Sequence, residues 1–374
     1  MDQNAPREIA LVIGQLEHGG TERQLYFFLE RYNPLEWKPT VFVSGGLGCW
    51  EERIRSIDVP VVQLRGDRIA KLLQFRAACL RQDIKCMFSW SSYTNGFALG
   101  LLGTGIKCIG SFRNSGWYDL PEDWRALWRW SSVAGVSTLV CNSQSTASMV
   151  AATYNRKIVH FVPNAVEIFP EHKRAAARAH WRAKLGVGEE TALVVGVGRI
   201  TSQKNFGRFV DAVAHLSPDL PVKAVIAGQD FGEQSAIEQR LVALNMKQRV
   251  KILGEIPDAR DLICAADIFL LSSDYEGTPN VVLEAMAAKV PCVVTFVDGV
   301  RELISHEGNG LSTELNSEAL GNAVARLVRD PILRRTLGAA AQCSVLKYAV
   351  DNVAAELWAI CAGASAAAKP IARL

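Results

Sequence analysis

Two glutamates bracket a turn in the segment D-Y-E-G-T-P-N-V-V-L-E, which runs from Asp274 to Glu284. Glu276 lies on the loop before the Gly277-Thr278-Pro279-Asn280 turn. Glu284 falls in the first turns of the apolar helix predicted by Val281, Val282, Ala285 and Met286, with Pro279 suited to its first position. The unpaired backbone N–H groups of a helix start favour a phosphate. A carboxylate on each side accepts hydrogen bonds from sugar hydroxyls, which a site for phosphate alone would not need. The spacing predicts a site for an anionic ligand that carries hydroxyls.

Two further segments fit such a ligand. In A-L-V-V-G-V-G-R-I-T-S-Q-K-N-F, Gly196 and Gly198 end a predicted strand, and Arg199 and Lys204 follow at the carboxyl end, where open α/β sheets bind ligands. Their planar fork and point charge suit a diphosphate. Near the amino terminus, G-Q-L-E-H-G-G-T-E-R leads into a helix predicted from about Glu22 to Arg31. Gly19 and Gly20 would let a ligand approach that helix start, although a tight strand-to-helix turn uses the same pair. The six histidines show no metal-ligand spacing, and no Asp-x-Asp pair follows a strand, so no metal or cofactor is expected. Neither a G-x-S-x-G elbow nor a Walker loop occurs.

Apolar runs alternating with helical patterns position these residues and predict α/β domains with parallel sheets. In the first half, 9–13, 40–44, 59–64, 85–89, 107–111, 138–142 and 158–162 read as strands. A second series comprises 192–196, 222–227, 250–253, 268–272 and 291–295. With 374 residues, two doubly wound domains are expected, 1–165 and 166–345. V-P-N-A-V-E (Val162 to Glu167) and the charged helical stretch His172 to Lys184 mark the change between them. A last helix, about 346–362, precedes an Ala-rich tail.

The net charge of +3 is too mild to argue for nucleic acid, and no nucleic-acid partner is expected. Nine scattered cysteines without a C-x-x-C pair read as buried thiols in a reducing cytoplasm. No stretch approaches a membrane span. The segment 117–130 sets Trp124 and Trp128 beside Arg125 and Arg129, a composition suited to a lipid headgroup layer, although a core helix with a wet arginine side reads the same way. Arg65, Arg68, Lys71, Arg76, Arg81 and Lys85, opposed by Asp67 and Asp83, form a basic patch across 65–85 that would attract anionic lipid or a phosphorylated acceptor.

Nearly full length, the chain resembles glycosyltransferase family 4, whose members are retaining enzymes of the GT-B fold that use nucleotide sugars. The resemblance rests on G-G-T-E, C-N-S, V-P-N-A-V-E, G-R-I-T-S-Q-K-N, L-G-E-I-P-D and above all E-G-T-P-N-V-V-L-E, which is similar to that family's E-x7-E motif. It implies two Rossmann-like domains facing a central cleft, with the last helix packing back on the first. By position, Arg199 and Lys204 would hold the donor diphosphate, Glu284 the ribose, and Glu276 the transferred sugar. Gly277, Thr278, Pro279 and Asn280 would cradle the phosphates, Gly19 and Gly20 would close over them from the first domain, and Ile256 would read the nucleobase through its backbone. Many relatives carry a histidine where C-I-G-S-F-R-N-S has Arg113. Arginine cannot act as a base at physiological pH. It would instead hold a donor hydroxyl, a diphosphate or an acceptor phosphate.

The expected function is transfer of a hexose or N-acetylhexosamine from a nucleotide sugar, with uridine diphosphate as carrier, to a polysaccharide or lipid-linked glycan, in the cytoplasm or at the inner face of a membrane. A nucleotide-sugar epimerase of the same architecture and a non-catalytic nucleotide-sugar binding protein are the alternatives.

Overall fold

The computed structural model describes residues 5–17, 19–113 and 125–363, apart from the side chains at 125, 126 and 128. The polypeptide divides into two compact units, Met1–Ala165 with Val350–Leu374, and Val166–Ala349.

The first unit contains β1 (Arg7–Ile13), α1 (Gly20–Leu29), β2 (Trp37–Val43), α2 (Cys49–Arg55), β3 (Val61–Gln63), α3 (Arg68–Arg81), β4 (Cys86–Ser89), β5 (Lys107–Phe112), α4 (Arg125–Ala134), β6 (Thr138–Cys141), α5 (Gln144–Thr153) and β7 (Ile158–Phe161). Its strands are parallel in the order β3-β2-β1-β4-β5-β6-β7. Ile9 to Val12 are fully buried, because helices cover both faces of a parallel sheet. That is why its strands read as unbroken apolar runs.

The second unit contains α6 (Glu171–Leu185), β8 (Ala192–Val197), α7 (Phe206–Ala214), β9 (Val222–Ala227), α8 (Gln234–Ala243), β10 (Val250–Gly254), α9 (Ala259–Ala265), β11 (Ile268–Leu271), α10 (Asn280–Ala287), β12 (Cys292–Thr295), α11 (Asp298–Arg301), β13 (Gly310–Thr313), α12 (Ser317–Arg329) and α13 (Pro331–Val345). Its parallel order is β10-β9-β8-β11-β12-β13. The charged α6 is tied into this unit: Arg178 and Arg182 donate to the two oxygens of Asp267 at 3.0 and 2.8 Å, and Gly186 ends the helix at a left-handed φ of 65°. β13 has no counterpart among the expected strands. Its sequence G-L-S-T offers one large apolar residue, and it forms by pairing along β12 at the sheet edge.

After a 3-10 turn at Leu346–Tyr348, α14 (Val350–Ala362) joins the first unit. Trp358 stacks on Phe28 with ring centroids 4.0 Å apart and donates its indole N–H to the Phe28 carbonyl at 3.2 Å. Val353, Leu357 and Ile360 are buried with it. Cys49 and Cys343 are exposed, against the expectation that all nine thiols are buried. Among the described residues, no helix is long and apolar enough to cross a membrane.

Candidate functional site

In the second unit the strand order reverses at β8, whose neighbours are β9 and β11. A sheet that reverses in this way leaves a crevice beyond the carboxyl ends of the central strands. Two loops meet there, one running from Gly198 to Asn205 and the other from Ser272 to Pro279. Gln203 donates to the Tyr275 carbonyl at 2.8 Å, Asp274 N–H to the Gln203 carbonyl at 2.9 Å, and the Ser272 hydroxyl to the Lys204 carbonyl at 2.9 Å. Arg208 donates to Asp274 at 2.6 Å and to the Ser272 carbonyl at 2.8 Å. Asn205, left-handed at φ 45°, caps α7 and also reaches Asp274. The two loops are thereby one fixed surface.

Glycines permit that closeness. A Cβ on Gly228 would lie 1.8 Å from the Gly198 carbonyl oxygen, and one on Gly299, in α11, 1.1 Å from the Gly277 carbonyl oxygen. Backbone stands where a side chain would be. Gly299 holds the turn between the two glutamates from outside.

The Lys204 ammonium lies 2.6 Å from Glu276 Oε1, and the Ser273 hydroxyl donates to the same oxygen at 2.6 Å. Ser273 is itself fixed, its carbonyl accepting from Thr295 at 2.6 Å. Both charged side chains are largely covered, with 14% of Lys204 and 6% of Glu276 exposed. Buried pairs of this kind are held by geometry, and removing either partner strands the other. Glu284 is buried on α10 beside Arg260, which also pairs with Asp258 and Glu167. Burial works against the charge on Arg260, but Asp258, Glu167 and Glu284 together raise its pKa.

Pro279 is the residue before α10, at φ −72° and ψ 105°, and its own side chain makes no capping hydrogen bond. The sequence placed it one position too far into the helix. Arg199 is exposed and lies over the Phe231 ring at 5.8 Å, whereas Lys204 is largely covered and paired with Glu276. Ile256 lies in the loop after β10 at the same sheet edge, partly buried against the core. Thr201 Oγ1 is buried near Lys204 without a hydrogen-bond partner, a feature the sequence reading did not single out.

The first unit has its own carboxyl-edge cluster. Trp90, Arg113 and Asn142 directly follow β4, β5 and β6, and Asn164 comes three residues after β7; all four are buried. Arg113 lies over the Trp90 ring at 4.3 Å and reaches Asn164 Oδ1 at 3.5 Å. Its carbonyl accepts from Asn142 at 2.8 Å. Arg113 Nε and Nη2 are buried without a partner, and burial pulls the guanidinium down from 12.5 to about 10. At neutral pH it is charged. Gly19 is the extended N-cap of α1 and Gly20 its first residue, and the Trp90 indole donates to the Thr21 carbonyl at 3.1 Å.

Part of the basic patch is spent internally. Lys71 donates to the Ser44 carbonyl at 2.6 Å, Arg76 to the carbonyls of Gly100 and Leu102 at 2.6 and 3.1 Å, and Lys85 pairs with Asp83. Arg65, Arg68 and Arg81 are exposed, as are Ile69, Leu73 and Leu80 on α3. Of the tryptophan-rich segment, 117–124 lies outside the described residues, as does the side chain at 128; Leu127 and Trp130 on α4 are exposed.

Residues 177–343 match the Glycosyl transferases group 1 profile, and residues 18–168 match Glycosyltransferase Family 4. The lipopolysaccharide core biosynthesis glycosyltransferase LpsE of Rhizobium meliloti (strain 1021) is 25% identical over 335 residues, covering 85% of this chain and 88% of that protein. The UDP-Gal:alpha-D-GlcNAc-diphosphoundecaprenol alpha-1,3-galactosyltransferase of Escherichia coli is 29% identical over 182 residues, 47% of this chain and 46% of that protein. Among solved structures, Anabaena Alr3699/HepE in complex with UDP superposes with a TM-score of 0.84 at 19% identity, covering 96% of this chain and 100% of that one. The two-sheet architecture is the GT-B fold, and the protein is a glycosyltransferase. The chain belongs to the family-4 type of these enzymes, as the E-G-T-P-N-V-V-L-E segment implied.

Proposed function

We propose that this enzyme moves a hexose or N-acetylhexosamine from a UDP-sugar to a polysaccharide or lipid-linked glycan, retaining the anomeric configuration and using no metal. The observation that carries this reading is the Lys204–Glu276 contact beside the start of α10, at the switch point of the second sheet. The UDP bound to the Anabaena protein and the UDP-galactose donor named for the Escherichia coli enzyme favour uridine. Lipopolysaccharide synthesis by the Rhizobium relative favours an envelope glycan acceptor.

In this reading Arg199, Lys204 and the backbone of Gly277, Thr278 and Asn280 receive the donor diphosphate. Glu284 accepts from the ribose hydroxyls, the Ile256 backbone meets the base, and Glu276 faces the transferred sugar. Breaking the anomeric bond builds negative charge on the departing diphosphate. Donors already aimed at that charge stabilise it without reorganisation. Lys204 keeps one N–H on Glu276 and offers its others to phosphate, so the same ion pair orients the cation and spaces the carboxylate. The leaving phosphate oxygen takes the acceptor proton, and Arg113 serves as an anchor. The exposed apolar face of α3, flanked by Arg65, Arg68 and Arg81, supports an acceptor presented at an anionic membrane surface on the cytoplasmic side.

A thermal-shift panel of nucleotide sugars, followed by nucleotide-release assays with lipid-linked and soluble acceptors, tests the reading. A UDP-sugar should stabilise the protein and release UDP only when acceptor is present. Turnover of donor alone would instead identify an epimerase, and binding without release under any acceptor a binding protein.

A further inference from the structure

We infer that the first unit holds a subsite for a negatively charged substituent on a sugar, a carboxylate or a phosphate monoester, and that Arg113 is its anchor. Four neighbouring strands, β4 to β7, bring Trp90, Arg113, Asn142 and Asn164 to one sheet edge. Trp90 fixes one face of the guanidinium at 4.3 Å, and Asn142 fixes its backbone through the carbonyl at 2.8 Å. Among the described residues the charged group receives little: a 3.5 Å contact to Asn164, with Nε and Nη2 buried and unpartnered. No ion pair involves Arg113 among the described residues.

A buried charge without a counterion destabilises the fold that carries it. The stacked tryptophan offsets part of that penalty. What remains is a rigid fork whose unpartnered Nε and Nη2 match the paired oxygens of a carboxylate or phosphate. A neutral hydroxyl would accept one hydrogen bond and leave the charge uncompensated. The geometry therefore selects an anionic group. This deepens the transferase reading by naming the substrate chemistry: the substituent belongs either to a uronic acid or to a phosphorylated sugar.

The experiment compares wild type with Arg113→Met and Arg113→Lys in thermal unfolding and calorimetric titration, using glucuronic acid, glucose 6-phosphate and glucose as probes. Wild type should bind one of the two anions about tenfold or more tighter than glucose. A response to glucuronate alone assigns a sugar acid; a response to glucose 6-phosphate alone assigns a phosphorylated sugar. Arg113→Met, which replaces an unpaired buried charge by an apolar chain of similar length, should melt no lower than wild type and show no preference for either anion. Arg113→Lys should keep a weakened one. UDP should stabilise all three proteins equally. Loss of the UDP response with the anion response intact would remove the donor reading and leave this subsite standing. Equal affinity of wild type for glucose and both anions, or an undiminished preference in Arg113→Met, would overturn it.

Discussion

Lys204 and Glu276 lie 72 residues apart in sequence and 2.6 Å apart in space. Each type and strand-end position was visible in the sequence, but their contact was not, because it depends on how β8 and β11 pair. The pair separates two effects that a single substitution would mix. Lys204→Ala removes the proposed diphosphate ligand and strands a buried carboxylate, so turnover should fall about 100-fold and stability by about 3 kcal/mol. Adding Glu276→Gln should restore most of the stability and none of the turnover, as read from denaturant midpoints and nucleotide release. Activity within a few fold of wild type in Lys204→Ala would sink the diphosphate assignment. Arg113 makes the same point about legibility: its position after a strand could be read, but the burial of its unpartnered Nε and Nη2 could not.

At the scale of elements, strands buried on both faces were legible because they leave unbroken apolar runs, whereas β13 lacked one and took its structure from β12. Gly299 was illegible for a different reason. Its importance lies in the Gly277 carbonyl pressed against it, and nothing in V-D-G-V-R announces that neighbour. Gly299→Ala should cost about 1–3 kcal/mol and weaken UDP binding by displacing the turn, while Gly188→Ala, with open space around it, should change neither. Unaltered UDP titrations in Gly299→Ala would contradict that role. On α3, Ile69 (70% exposed) and Leu73 (61%) share a face with Leu80. Ile69→Glu with Leu73→Glu should reduce sedimentation with phosphatidylglycerol vesicles about tenfold or more without changing release from a soluble acceptor. Equal sedimentation of the variant would remove α3 from the membrane reading.

At the scale of the whole molecule, buried thiols set an alkaline limit. Burial raises Cys79, Cys108, Cys141 and Cys264 from 9.0 to about 12. Above 9 the unfolded chain loses these protons while the native one keeps them, so stability falls as pH rises towards 12. Arg113 acts oppositely above about 10, but the raised thiols, with Cys292 and Cys361 among them, outnumber it. Urea midpoints should be level below about pH 8.5 and decline above 9, less steeply in Cys108→Ala. A level profile through pH 10.5 or so would contradict the burial of these thiols.

The return of α14 to the first unit has a consequence during synthesis. The helix that covers Phe28 and Trp37 is encoded after all of Val166–Ala349, so the unit begun first is completed last. While the ribosome makes the intervening residues, an apolar face on the nascent chain waits uncovered. The second unit, contiguous in the message, has its whole core available before the last helix emerges.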